Sequence, residues 1–168
     1  MMRFLALAAT LALSLSASAA FAQEVKAGDL TIVTPWARAT PKGAEVGVGY
    51  LEIRNAGGGS DRLTGGASDF ANVEVHDMKM ENGVMKMREV TDGLEIPAHG
   101  SVKLAPSGYH LMFTDLKRPL VSGETVTATL NFEHAGSVKV DFSVQPIGAA
   151  APKSDDMNKS GAMKGMKM

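Results

Sequence analysis

The chain has 168 residues, 17 basic against 18 acidic side chains, and no cysteine. The length allows one domain, or one domain with a tail. The balanced charge, with no basic patch interleaved with aromatics, argues against nucleic acid as a partner. Without cysteine the fold has no disulfide and no thiolate ligand, and must hold by core burial alone.

Residues 1–22 read as a signal peptide. Arg3 gives the positive start, Phe4–Leu15 (FLALAATLALSL) the apolar stretch, and Ala20-Phe21-Ala22 the small-x-small cleavage site before Gln23. The apolar run is too short for a membrane span, and no later stretch is long enough for one. The mature chain is therefore expected to start near Gln23 and to be exported, without stable membrane insertion.

Between Gly28 and Val144 the sequence reads as short strands. Leu30–Val33 and Tyr50–Arg54 are candidates, and Thr125–Phe132 and Val138–Val144 alternate apolar and polar residues cleanly. Gly57-Gly58-Gly59, Gly65-Gly66, Pro97, Pro106, Gly108 and Gly123 punctuate them. No helical periodicity is sustained. The pattern predicts an all-β fold over residues 23–148, an antiparallel β-sandwich or Greek-key barrel. Neither glycine cluster opens a helix after a strand, so both read as flexible connections rather than phosphate loops. Residues 149–168 change composition to Ala, Gly, Ser, Lys and Met, and read as a disordered tail.

The methionines are segregated. Met78, Met80, Met85, Met87 and Met112 fall in the domain, and Met157, Met163, Met166 and Met168 in the tail. Strands that look like ordinary core use Val, Leu, Ile and Phe instead, although methionine is an adaptable filler that would normally scatter. Asn82-Gly83 is a strong signal for a two-residue type I′ hairpin. That turn sets a register of Met80 with Met85, Met78 with Met87 and His76 with Glu89. All four methionines and His76 then share one face, while Asp77, Lys79, Lys86 and Arg88 share the other. Met87 lies diagonal to His76, within reach of a common ion. Tyr109–Leu116 also alternates, placing His110 and Met112 on one face and Leu111 and Phe113 on the other. His-x-Met thus occurs twice, and each pair presents both groups to one point.

A packing role for these methionines, with His110 a satisfied core histidine, is the competing reading. It would serve for one Met-x-Met or one His, but fits poorly with several i, i+2 pairs. His99 and His134 lie in turns without methionine nearby and read as surface residues. Glu89, opposite His76, reads as a surface carboxylate, with orientation of the ring as its alternative role. Soft thioether with imidazole selects Cu(I), whereas Ca, Mg and Mn prefer oxygen, and a blue-copper centre would need the missing cysteine. Neutral thioethers hold copper less firmly than thiolates, which favours passing it on, and they are open to sulfoxidation.

With these residues in view, the stretch from His76 to Gly123 resembles the periplasmic PCu(A)C-type copper chaperones. The shared features are His-x-Met, VMKMREV (Val84–Val90), IPA (Ile96–Ala98), GYHLMF (Gly108–Phe113) and L-x-x-PL-x-x-G (Leu116–Gly123). The resemblance implies a cupredoxin-like barrel and carries His76, Met87, His110 and Met112 over as copper ligands. The Met87-to-His110 interval is one residue longer than in the family pattern, so Met85 stands beside Met87 as a candidate, and Met78 as a substitute or cover. The resemblance further implies delivery of Cu(I) to a respiratory haem-copper oxidase, at the CuA site of subunit II, with a Sco-type copper protein as companion. A copper storage or resistance protein is the alternative function. A peptide- or glycan-binding sandwich lacks the aromatic platform it would need, and no nucleophile triad or carboxylate pair points to an enzyme. Met163, Met166 and Met168 suggest a second copper-capturing arm, with Cu(II) binding there left open; an incidental, solubilising tail is the equal alternative.

Overall fold

A computed structural model describes residues 23–151. The signal-peptide and most of the tail expected from the sequence lie outside the described residues. Eleven strands and no helix occur among those described: β1 Glu24–Ala27, β2 Leu30–Arg38, β3 Gly47–Asn55, β4 Asp61–Ala67, β5 Asn72–Glu81, β6 Val84–Glu89, β7 Leu94–Ile96, β8 Ser101–Leu104, β9 His110–Thr114, β10 Thr125–Phe132 and β11 Gly136–Gln145.

Seven strands close into a barrel in the order β2-β11-β10-β4-β5-β9-β3, with β3 returning to β2. The other four attach outside this ring: β1 on β2, β8 on β3, β7 on β4 and β6 on β5. Chain neighbours such as β3 and β4 are not sheet neighbours, so the connections cross the barrel in Greek-key fashion. The expected all-β barrel is thus present, with one correction. The seam between β11 and β2 is parallel, Ser143–Gln145 running beside Trp36–Arg38. Nearly the whole domain separates these strands, so no hairpin forces them antiparallel.

Alternation fills the interior. Ile32, Ile53, Leu63, Leu111, Phe113, Leu130, Val140 and Phe142 are fully buried in one continuous cluster. Phe113 lies at its centre, 5.5 Å from the Phe70 ring and 5.6 Å from that of Phe142, the latter edge-on. The reading of Gly65-Gly66 as a flexible connection fails: both lie within β4. β4 meets β10 at a bulge there, and a Cβ on Gly66 would run into the Thr129 carbonyl oxygen. Close backbone approach, not flexibility, requires these glycines.

Asp61, at the start of β4, is buried and accepts the backbone N–H groups of Arg62 at 2.7 Å and of His134 and Ala135, each at 2.9 Å. Burial alone would raise its pKa, but these donors and the nearby His134 ring outweigh it and hold the carboxyl below its usual range. A carboxyl depressed in the fold stabilises it above the unfolded pKa and loses that contribution as pH falls through the folded value. Asp61→Asn, which keeps one acceptor oxygen, is therefore expected to destabilise the domain by about 1–3 kcal/mol at pH 7. Urea unfolding at a series of pH values checks this. The gap between variant and wild type should narrow progressively below pH 3.8, the ordinary carboxyl value; a gap independent of pH would contradict it.

Candidate metal centre

The β5–β6 hairpin sets out the first part of the site. Asn82 and Gly83 have φ of 52° and 78°, the left-handed pair that a type I′ turn requires. The register pairs Met80 with Met85, Met78 with Met87 and His76 with Glu89, as the sequence predicts. β6 pairs only with β5, and all six of its residues are exposed. The hairpin is therefore an arm that extends the sheet past the barrel wall.

β9 supplies the second part. It runs along the other edge of β5, with His76 opposite His110 and Glu74 opposite Met112. Leu111 and Phe113 point into the core, so His110 and Met112 must face outward, onto the face that carries His76 and the hairpin methionines. Barrel closure thus places His76, Met78 and Met87 beside His110 and Met112. Met85 and Met80 lie one step further out along the arm. Met163, Met166 and Met168 lie outside the described residues.

The candidate donors differ in exposure. His110 and Met112 are only 4% and 7% exposed, whereas Met85 and Met87 are 41% and 50% exposed. The site has a buried wall on β9 and an open wall on β6.

Hydrogen bonds fix both rings. Nδ1 of His110 donates to the Gly108 carbonyl at 3.0 Å, which leaves the Nε2 lone pair free. Nε2 of His76 donates to Glu74 Oε2 at 2.9 Å, and Thr114 Oγ1 donates to Glu74 Oε1 at 3.2 Å. Nδ1 of His76 is buried and has no hydrogen-bond partner among the described residues. Buried polar atoms are rarely left so, because an unmatched one is destabilising. An orphaned imidazole nitrogen beside thioethers suits a soft cation.

The two ring centres are 5.9 Å apart. A metal–imidazole bond of about 2.0–2.1 Å, plus about 1.1 Å from nitrogen to ring centre, allows two rings on one ion up to roughly 6.2 Å apart. The spacing therefore fits two imidazoles on a single ion. No cluster of three or more His, Cys, Asp or Glu suited to a metal occurs among the described residues.

Sequence reasoning missed Glu74. It considered the cross-strand neighbour Glu89, which is exposed, and passed over the residue two positions before His76 on the same strand face. The signal was the Glu-x-His spacing in an alternating strand.

A model of the family described as "Putative lipoprotein LpqE-like" matches residues 30–144. The chain belongs to the LpqE-like family of PCuAC-type domains. A curated relative, "Putative lipoprotein Lxx21020" of Leifsonia xyli subsp. xyli, is 29% identical over 126 residues, covering 74% of this chain and 75% of its own. Among solved structures, the copper-bound PCuAC domain from PmoF2 is 29% identical with a TM-score of 0.61, over 77% of this chain and 99% of that domain. The CuI-bound DR1885 protein of Deinococcus radiodurans is 30% identical with a TM-score of 0.53, over 66% of this chain and 74% of its own. The lipoprotein names of the family and of the curated relative point to an exported protein for this LpqE-like chain. Among its described residues no helix is long and apolar enough to cross a membrane.

Proposed function

We propose that this protein is a periplasmic Cu(I) chaperone that holds the ion with His76, His110, Met112 and Met87 and delivers it into the CuA assembly pathway of a respiratory cytochrome c oxidase. The observation that carries the reading is the orphaned, buried Nδ1 of His76, in a ring 5.9 Å from that of His110 and flanked by thioethers. Two neutral imidazoles and two thioethers match Cu(I), and nothing in the set would favour a hard cation. Met85 is the alternate to Met87, and Met78, opposite Met87, would cover the ion. The copper-bound relatives support the choice of metal.

The split exposure of the donors supports delivery rather than retention. The exposed β6 thioether is the one an incoming ligand can displace first, while His110 and Met112 still hold the ion from the barrel wall. Subunit II of a haem-copper oxidase, or a Sco-type protein acting before it, would supply the thiolates and imidazoles that draw copper away. Export through the N-terminal signal peptide would bring the protein to them.

A transfer experiment tests delivery. Cu(I)-loaded protein is mixed anaerobically with the apo soluble domain of oxidase subunit II, with and without a Sco-type protein. Appearance of the dinuclear centre's visible absorption, with matching loss of copper from the carrier, is the expected result. Copper that stays on the protein under all these conditions would leave the storage or resistance function instead.

The tail would assist. Arg38 Nε donates to the Ala149 carbonyl at 2.8 Å, and the Arg38 guanidinium lies 5.4 Å from the Tyr50 ring centre. Tyr50 shares its strand face with Val48, which is opposite Met112. Ala149 is thus held on the outer side of the barrel wall, the side on which His110 and Met112 also lie. Met163 is 12 residues beyond Ala151, a reach of up to about 40 Å. Truncation after Ala151 is expected to lower the copper bound per chain and slow loading at limiting copper, read by competition titration. Unchanged stoichiometry and rate would make the tail methionines incidental.

A further inference from the structure

The two histidines are held in opposite tautomers, and each is held by a different device. His110 keeps its proton on Nδ1 because that atom faces the Gly108 carbonyl of its own chain turn. A carbonyl only accepts, so in the neutral ring Nε2 carries the lone pair. His76 is the reverse: its Nε2 faces a carboxylate oxygen of Glu74, and its Nδ1 is the atom without a partner.

We infer that Glu74 is a positioning residue of the metal centre: it fixes His76 as the Nε2–H tautomer, so that the ion is bound by Nδ1 of His76 and by Nε2 of His110. This rests on the copper reading above. Three observations carry it. Glu74 is itself restrained, since its second oxygen takes the Thr114 hydroxyl. It stands opposite Met112 in the sheet, so one short segment of β5 supplies both a ligand and that ligand's support. Its side chain is 36% exposed while that of His76 is 13% exposed, so the carboxylate serves no core packing.

The arrangement has an electrostatic consequence. Two imidazoles and two thioethers are neutral, and a bound monovalent cation would leave the centre with one positive charge. A carboxylate on the far nitrogen of one ligand balances that charge and makes the opposite nitrogen a better donor, without occupying a coordination position. Because Glu74 acts through His76 and not on the ion, oxygen-seeking cations gain nothing from it.

The test uses the mature full-length protein labelled with 15N. In the apo form, long-range 1H–15N correlation of the imidazoles is expected to show His76 protonated on Nε2 and His110 protonated on Nδ1. On addition of Cu(I) under anaerobic conditions, the 15N shifts of His76 Nδ1 and His110 Nε2 should move most. Glu74→Ala is expected to release the His76 tautomer and lower Cu(I) affinity about ten- to a hundredfold. Glu74→Gln, whose amide oxygen still accepts from Nε2–H, should restore the tautomer and much of the affinity. Binding of copper through His76 Nε2, or a Glu74→Ala protein with wild-type tautomer and affinity, would overturn the inference while leaving the copper site standing. Absence of any imidazole shift with Cu(I) would overturn both.

Discussion

Replacing His76 with leucine is expected to lower Cu(I) affinity at least a hundredfold, yet leave the apo barrel as stable as wild type or about 1 kcal/mol more stable. The expectation follows from the unmatched Nδ1, which is buried without a hydrogen bond and so weakens the apo fold by an amount of order 1 kcal/mol. Leucine removes that atom and still covers the strand face. The bond lost with Glu74 is minor, because that carboxylate keeps Thr114 and is partly exposed to water. A hundredfold loss of affinity corresponds to about 2.7 kcal/mol, a modest demand on the removal of one of the four proposed donors. Urea unfolding of the apo proteins and Cu(I) competition against a chromophoric chelator read the two effects separately. If stability falls by several kcal/mol alongside affinity, His76 is a packing residue and the orphaned nitrogen has been misread.

Phe113→Ala is expected to have the largest effect on stability, about 3–5 kcal/mol, with the melting temperature lower by roughly 10–20 °C. Phe113 is fully buried, touches Phe70 and Phe142, and covers Gly49, where an added Cβ would come within 2.8 Å of its ring. It also lies between Met112 and the end of β9, on the reverse side of the strand that carries His110 and Met112. The core therefore sets the position of the buried wall of the site. Differential scanning calorimetry checks the loss, and Cu(I) titration of the still-folded variant at low temperature should show weakened binding. A melting temperature within a few degrees of wild type would mean that this aromatic cluster does not organise the core.

The hairpin was legible because its register is local. Asn82-Gly83 dictates a two-residue turn, and the turn dictates every pair from Glu81–Val84 to His76–Glu89. The outward direction of His110 and Met112 was equally legible, since Leu111 and Phe113 alternate with them. What alternation could not supply is that β9 runs beside β5 with His110 opposite His76. That pairing spans 34 positions of sequence and depends on how the barrel closes. The parallel β11–β2 seam was hidden for the same reason. Gly65-Gly66 was misread because composition marks glycine as a turn former, whereas here it admits a neighbouring backbone. Glu74 was missed because attention fell across the strands rather than along one: the cross-strand neighbour of His76 is Glu89, but the ring's hydrogen bond runs to its own strand.

The central claim is that the crowded face is a Cu(I) site, and an anaerobic Cu(I) competition titration of the domain ending at Ala151 tests it most directly. Wild-type domain is compared with Met87→Leu/Met112→Leu, a near volume-conserving change expected to cost under about 1.5 kcal/mol per site in stability. The account predicts one tightly bound Cu(I) in the wild-type domain and its loss in the double variant, with the β-sheet circular dichroism unchanged. Equal binding by both folded domains would contradict it, and the methionines would then be packing alone.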